Sequence, residues 1–130
     1  ARRAVVVSCD LPFVTGELYA RLVSLCGDEF DAVAPVQEDG RPQPLCAVYA
    51  REPCLRIAER QLASGDLRPR DLLRRVRTRW VGAGELSALS GADNFFHNVN
   101  TPQDYESAQA LARDESAERE RPSARLPGGE

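Results

Sequence analysis

Apolar residues along this chain fall into short runs and helically spaced stripes, and the two patterns alternate. Val5 to Cys9 is a short apolar run, the pattern of a strand covered on both faces in a parallel sheet. Thr15 to Cys26 reads as a helix. Thr15 can act as its N-cap, Leu18, Leu22 and Leu25 with Val23 form an apolar stripe, and Gly27 closes it. Asp31 to Val36 predicts a second strand, ended by Pro35 and the polar loop "QEDGRPQ", and Leu45 to Ala50 a third. Cys54 to Leu62 again has helical spacing and stops near Gly65.

Further on, "DLRPRDLLRRVRTRWV" predicts a helix opening after Pro69 and leading into a short strand around Arg79 to Val81. Phe95 to Val99 ("FFHNV") is another apolar segment. The helix start at "NTPQDYESAQALA" is strongly marked: Thr101 as cap, Pro102 at the first position and Asp104 three residues after the cap. Residues 114–130 contain few apolar side chains and end in Pro and Gly, so a disordered tail is expected there, after a domain of residues 1–113. Strands separated by helices imply a layered α/β fold with a mainly parallel sheet. No internal repeat is visible.

Composition narrows this picture without changing it. The 130 residues are enough for one domain with an ordinary core, and 42% hydrophobic with 28% charged residues is a globular composition. No apolar run approaches the roughly 20 residues that span a bilayer, and no secretory pattern precedes Val5, so a cytoplasmic protein is expected. All 17 basic residues are arginine, which reads as nucleotide-composition bias. The formal charge of -3 argues against non-specific nucleic-acid binding. Cys9, Cys26, Cys46 and Cys54 form no CxxC pair and His97 is the only histidine, which disfavours structural zinc and favours reduced thiols.

Candidate chemistry gathers at three places. Ligands of open α/β sheets bind beyond the carboxyl ends of strands, and Asp10 stands at that end of the Val5–Cys9 run, fixed by Pro12. A carboxylate there can hold a hard cation such as Mg²⁺ against nucleotide phosphates; it can equally well just cap the following turn. The loop from Gly40 to Tyr49 has two prolines, Pro42 and Pro44, bracketing Gln43, which could present an amide to a polar ligand or form a plain turn into a strand. "HNVNTP" sets Asn98 and Asn100 just before a capped helix, where Asn also serves local backbone hydrogen bonds. The arginines at 68, 70, 74, 75, 77 and 79 read better as a solvated helix face than as a phosphate patch, and Trp80 as core or interface. No Ser/His/Asp arrangement, GxGxxG or Walker loop occurs.

Together, "VVVSCDLPFVTGEL", "GRPQPLCAVYAR" and "NVNTPQDYESA" resemble the second half of the molybdenum cofactor guanylyltransferase family, in order and at compatible spacing, over Val5 to Ala112. The resemblance implies part of a Rossmann-like nucleotidyltransferase fold, three layers with a mostly parallel sheet. It implies Mg²⁺-dependent transfer of GMP from GTP to molybdopterin, with pyrophosphate released. On it, Asp10 is the catalytic magnesium ligand, and Arg41, Gln43, Pro44, Asn98 and Asn100 lie at the substrate site. Molybdenum cofactor biosynthesis proteins and molybdoenzymes are the implied partners. The family opens with a glycine-rich loop of the type LAGGxSxRMGxDK that cradles the GTP phosphates, and that loop is not in this sequence. An enzyme completed by an N-terminal half is therefore expected. A non-catalytic pterin-binding module, a cytidylyltransferase relative and an arginine-driven nucleic-acid module are the other readings, the last well behind.

Overall fold

β1 (Arg3–Val7), β2 (Ala32–Val36), β3 (Cys46–Ala50) and β4 (Thr78–Gly82) form one sheet in the order β1-β3-β2-β4, in a computed structural model that describes residues 1–121. β3 lies antiparallel to both β1 and β2, and β2 lies parallel to β4. Three of the four strands therefore point one way and β3 is the reversed one. The expected shared direction holds, while hydrogen-bonded pairing is parallel only between β2 and β4.

Side-chain alternation splits the sheet into two apolar faces. Val33, Cys46, Val48 and Val81 face α1 (Gly16–Leu25), whose Leu18 and Leu22 are fully buried, along with Leu11 and Phe95. Ala32, Ala34, Ala47 and Tyr49 face the other layer, α2 (Arg51–Ala63) and α3 (Pro69–Arg75), through Cys54 and Leu73. The three-layer arrangement expected from the sequence is present. Small alanines on the second face allow those helices to approach closely.

α1 begins as predicted, with the Thr15 hydroxyl oxygen accepting the Leu18 N–H at 3.2 Å. α2 starts three residues before the expected Cys54. Pro53 falls in its first turn, where a missing N–H deprives no helical hydrogen bond. The short α4 (Ala83–Leu86) and a 3-10 turn (Ala92–Asn94) are too brief to show a period in the sequence. α5 (Pro102–Glu120) has the predicted reciprocal cap. Thr101 Oγ1 accepts from the Asp104 N–H at 3.0 Å, and Asp104 Oδ2 accepts from the Thr101 N–H at 3.1 Å. Its helix passes Asp114, where the tail was expected to begin, and residues 122–130 lie outside the described residues.

One expectation is corrected. The Val5–Cys9 run was read as a strand covered on both faces, but β1 spans Arg3–Val7 and is mostly exposed. Val5 and Val7, 47% and 56% exposed, stand in register with the fully buried Val48 and Cys46. The apolar face thus continues past the layer that covers it. β1 pairs with β3 alone among the described residues, so its outer edge offers unpaired backbone donors and acceptors. Trp80, read as core or interface, is 39% exposed on the opposite edge strand, β4. The four cysteines are free thiols, and Cys9 alone is exposed.

Candidate functional site

Ser8 to Asp10 leave the carboxyl end of β1 in a tight turn, with the Leu11 N–H reaching back to the Ser8 carbonyl. Leu11 is buried in the core and anchors the far side of that turn. Asp10 is half-buried between them. Its carboxylate accepts a short hydrogen bond from the Ser8 hydroxyl, which fixes its rotamer two residues downstream of the donor.

The Asp10 carbonyl accepts the Val99 N–H at 2.9 Å. This bond joins the β1 turn to the "HNVN" stretch from the far end of the domain, and sets Asn98 and Asn100 on either side of the junction. A second contact reinforces it: the Phe13 and His97 rings meet edge to face with centroids 5.9 Å apart. Phe95, fully buried, roots the stretch in the core. Both asparagines are exposed, and neither amide side chain is hydrogen-bonded among the described residues, whereas the Asn100 N–H donates to Asp104 at 3.1 Å. Donation from the Asn100 and Thr101 backbone holds the Asp104 carboxyl below the usual range.

The third candidate, the loop after β2, emerges at the same end of the sheet. Gly40 takes φ +83°, a left-handed conformation that favours glycine, and the chain reverses there. The Gln43 N–H returns to the Pro35 carbonyl at 2.9 Å, and its side-chain Nε2 donates to the side-chain Oε1 of Gln37 at 2.6 Å. Pro44 is tied by its carbonyl to the Tyr49 hydroxyl. Arg41 is exposed and held by Asp39, Nε to Oδ2 at 2.6 Å. Cys46, two residues after Pro44, sits opposite Val7, three residues before Asp10. The six residues singled out from the sequence thus share one end of the sheet. Asp10 and the asparagine stretch are in direct contact, while the Arg41–Pro44 loop is placed by its strand neighbour rather than by a bond to Asp10.

Ser8, Phe13 and His97 belong to this arrangement and carried no signal of their own. A hydroxyl two residues before a strand-end carboxylate is the one clue the sequence offered. The His97 Nε2 is buried without a hydrogen-bond partner among the described residues.

The Asp10 carboxylate is a hard oxygen donor. Among the described residues no group of three or more His, Cys, Asp or Glu side chains lies together, so a zinc cage is not built here. Magnesium usually takes one or two carboxylates and completes its shell with water and phosphate oxygens. Asp10 fits that pattern as a single ligand. A separate cleft of about 1000 Å³ opens between the start of α1 and α5. It is lined by Glu17, Asp93, Asp114, Glu115 and Glu118 and by none of the six residues; carboxylates of that density repel a nucleotide's phosphates.

Comparison with known proteins bears on the family and the fold. The family model for the MobA-like NTP transferase domain matches residues 1–80. A molybdenum cofactor guanylyltransferase from Desulfosudis oleivorans is 32% identical over 110 residues, covering 85% of this chain and 54% of the relative. The crystal structure of molybdopterin-guanine dinucleotide biosynthesis protein A from Archaeoglobus fulgidus superimposes with a TM-score of 0.74 at 28% identity, over 86% of this chain and 56% of the other. A protein from Aquifex aeolicus shares the fold at TM-score 0.60 and 22% identity, over 78% and 49% of the two chains. The chain spans about half the length of the curated relatives it matches.

Proposed function

Because this chain belongs to the family of MobA-like NTP transferase domains, we propose that it is the part of a molybdenum cofactor guanylyltransferase carrying the Asp10 turn. It acts together with a glycine-rich N-terminal half supplied from outside this sequence. The reaction is transfer of GMP from GTP to the terminal phosphate of molybdopterin: a phosphate oxygen attacks the α-phosphorus, and the bond to the β-phosphate oxygen breaks to release pyrophosphate. The observation that carries this reading is the Val99-to-Asp10 backbone bond, which brings the asparagine stretch to the strand-end carboxylate.

Each residue has a task that follows from its chemistry. Asp10 would hold magnesium, and the ion supplies neutralisation of phosphate charge, the main requirement of phosphoryl transfer. Ser8 fixes the carboxylate in one rotamer, so alignment costs little when substrate arrives. Asn98 and Asn100 offer free amides that can donate to phosphate or pterin oxygens. The loop from Arg41 to Pro44 provides a guanidinium for phosphate and a rigid amide at Gln43. GTP and molybdopterin are the proposed substrates, with cofactor-biosynthesis proteins and molybdoenzymes upstream and downstream. We place the protein in the cytoplasm; no described helix is long and apolar enough to cross a membrane.

Fluorescence titration of molybdopterin onto the chain alone tests the asparagine assignment. Saturable binding is expected, weakened about tenfold or more in the double variant Asn98→Ala, Asn100→Ala by loss of two hydrogen bonds to a charged ligand. An unchanged unfolding midpoint shows that the loss is local. A flat titration, or equal affinity in the variant, would remove these residues from the site.

A further inference from the structure

Arg56 and Arg60 on α2 face Arg74, Arg75 and Arg77 at the end of α3 across a cleft of about 460 Å³. Pro53, Ile57 and Val76 give it apolar walls, and among the described residues Asp31 is the only carboxylate lining it. Counted with Asp66 and Asp71, which reach Arg75 and Arg74 from beside the cleft, the five guanidiniums leave a formal excess of two positive charges.

Three of the five are engaged. Arg77 is clamped on Asp31, NH2 to Oδ1 at 3.0 Å, Arg75 reaches Asp66 at 3.4 Å and Arg74 reaches Asp71 at 3.6 Å. Arg56 and Arg60 have no carboxylate within 4.0 Å among the described residues. They stand one turn apart on the same helix face, a like-charge spacing that destabilises a helix by a few tenths of a kcal/mol. Asp31, Asp66 and Asp71 offset the charge of Arg77, Arg75 and Arg74, and the charges of Arg56 and Arg60 are left without a paired carboxylate among the described residues. A bound anion would offset them. Local rules broken without internal compensation concentrate at functional sites.

The cleft is remote from Asp10. Asp31 precedes the first residue of β2 and Asp10 follows the last of β1, and the two strands share a direction. Five-residue strands separate the two ends by about 16 Å.

We propose that this cleft is a second anion site that takes the di- or triphosphate group of a small molecule. Its size suits such a group, its charge excess matches one, and the forked geometry of arginine suits bidentate contact with phosphate oxygens. The formal charge of -3 for the whole chain disfavours attraction of an extended polyanion.

Calorimetric titration of the full chain with inorganic triphosphate, without magnesium and at low salt, tests the assignment. One equivalent is expected to bind, with affinity falling as salt rises. Arg56→Gln combined with Arg60→Gln should weaken it about tenfold or more, and since both side chains are exposed and repel each other, the unfolding midpoint should not fall. Asp10→Ala should bind as the parent does. GTP and ATP arms show whether the base adds affinity; in either case binding must depend on the two arginines. No binding, an unchanged affinity in the double variant, or tighter capture of a poly-glutamate peptide than of triphosphate would each overturn the proposal.

Discussion

Asp10→Ala, placed in the completed enzyme, is expected to reduce GMP transfer by roughly three orders of magnitude or more, the scale of removing a charge-stabilising group from phosphoryl transfer. The fold should hardly notice. Among the described residues the Asp10 side chain bonds only Ser8, while its backbone carbonyl, which alanine retains, accepts the Val99 N–H. The stability change should therefore stay within about 0.5 kcal/mol, as for a surface substitution away from special features. Asp10→Asn separates the two readings of this residue. Asparagine keeps the shape and can still accept the Ser8 hydroxyl, so a turn-capping role survives it. Its neutral amide oxygen lacks the carboxylate's charge and holds a divalent cation far more weakly, so the catalytic role does not. Steady-state turnover of Asn and Ala variants should therefore fall together, and near-parental activity in Asp10→Asn would leave Asp10 as a cap.

Phe95→Ala should cost about 3–5 kcal/mol of stability, the range for emptying a fully buried aromatic site. Domains of this kind hold about 5–15 kcal/mol in all, so the variant is expected near the edge of folding. Phe95 is fully buried in the cluster with Leu11, Leu18 and Leu22. Those residues also support the Asp10 turn and α1, and Phe95 starts the segment that delivers Asn98 and Asn100. Phe95→Leu keeps most of the volume and should cost under about 1.5 kcal/mol. Denaturant unfolding of the three proteins measures this directly. A cost below about 1 kcal/mol for the alanine variant would mean that Phe95 does not root the stretch in the core.

Elements whose periodicity is carried by their own residues were legible in the sequence. The Thr15 cap, the Leu18 and Leu22 stripe and the Thr101–Asp104 capping box needed no tertiary partner to be read. What depended on neighbours was not. The apolar run after Ala4 has the composition of a buried strand, yet burial is set by what lies beside it, and β1 has a strand on one side only. The helical spacing was visible only from Cys54, whereas α2 opens at Arg51 and takes Pro53 into its first turn. At the site, residue types and order suggested Asp10, Asn98 and Asn100 through family resemblance. The contact joining them is a backbone hydrogen bond between distant segments, and backbone bonds leave no mark on side-chain identity. The Arg56 and Arg60 pair was hidden for a related reason: it lies on a different helix from the arginine run, and only packing of α2 on α3 brings them together.

The proposed function gives the exposed valines of β1 and the lone carboxylate of Asp10 the same explanation. Both would be halves of features that another segment completes, the sheet through its open edge and the proposed nucleotide site through a glycine-rich loop. The most direct test mixes this chain with the N-terminal half of the Desulfosudis oleivorans relative, GTP labelled at the α-phosphate, magnesium and molybdopterin, and measures label in the dinucleotide product. Labelled dinucleotide is expected from the mixture, and none from either half alone, without magnesium, or with Asp10→Ala. Molybdopterin binding with no labelled product in any mixture of folded halves would contradict the proposed function, and would leave this chain a binding module.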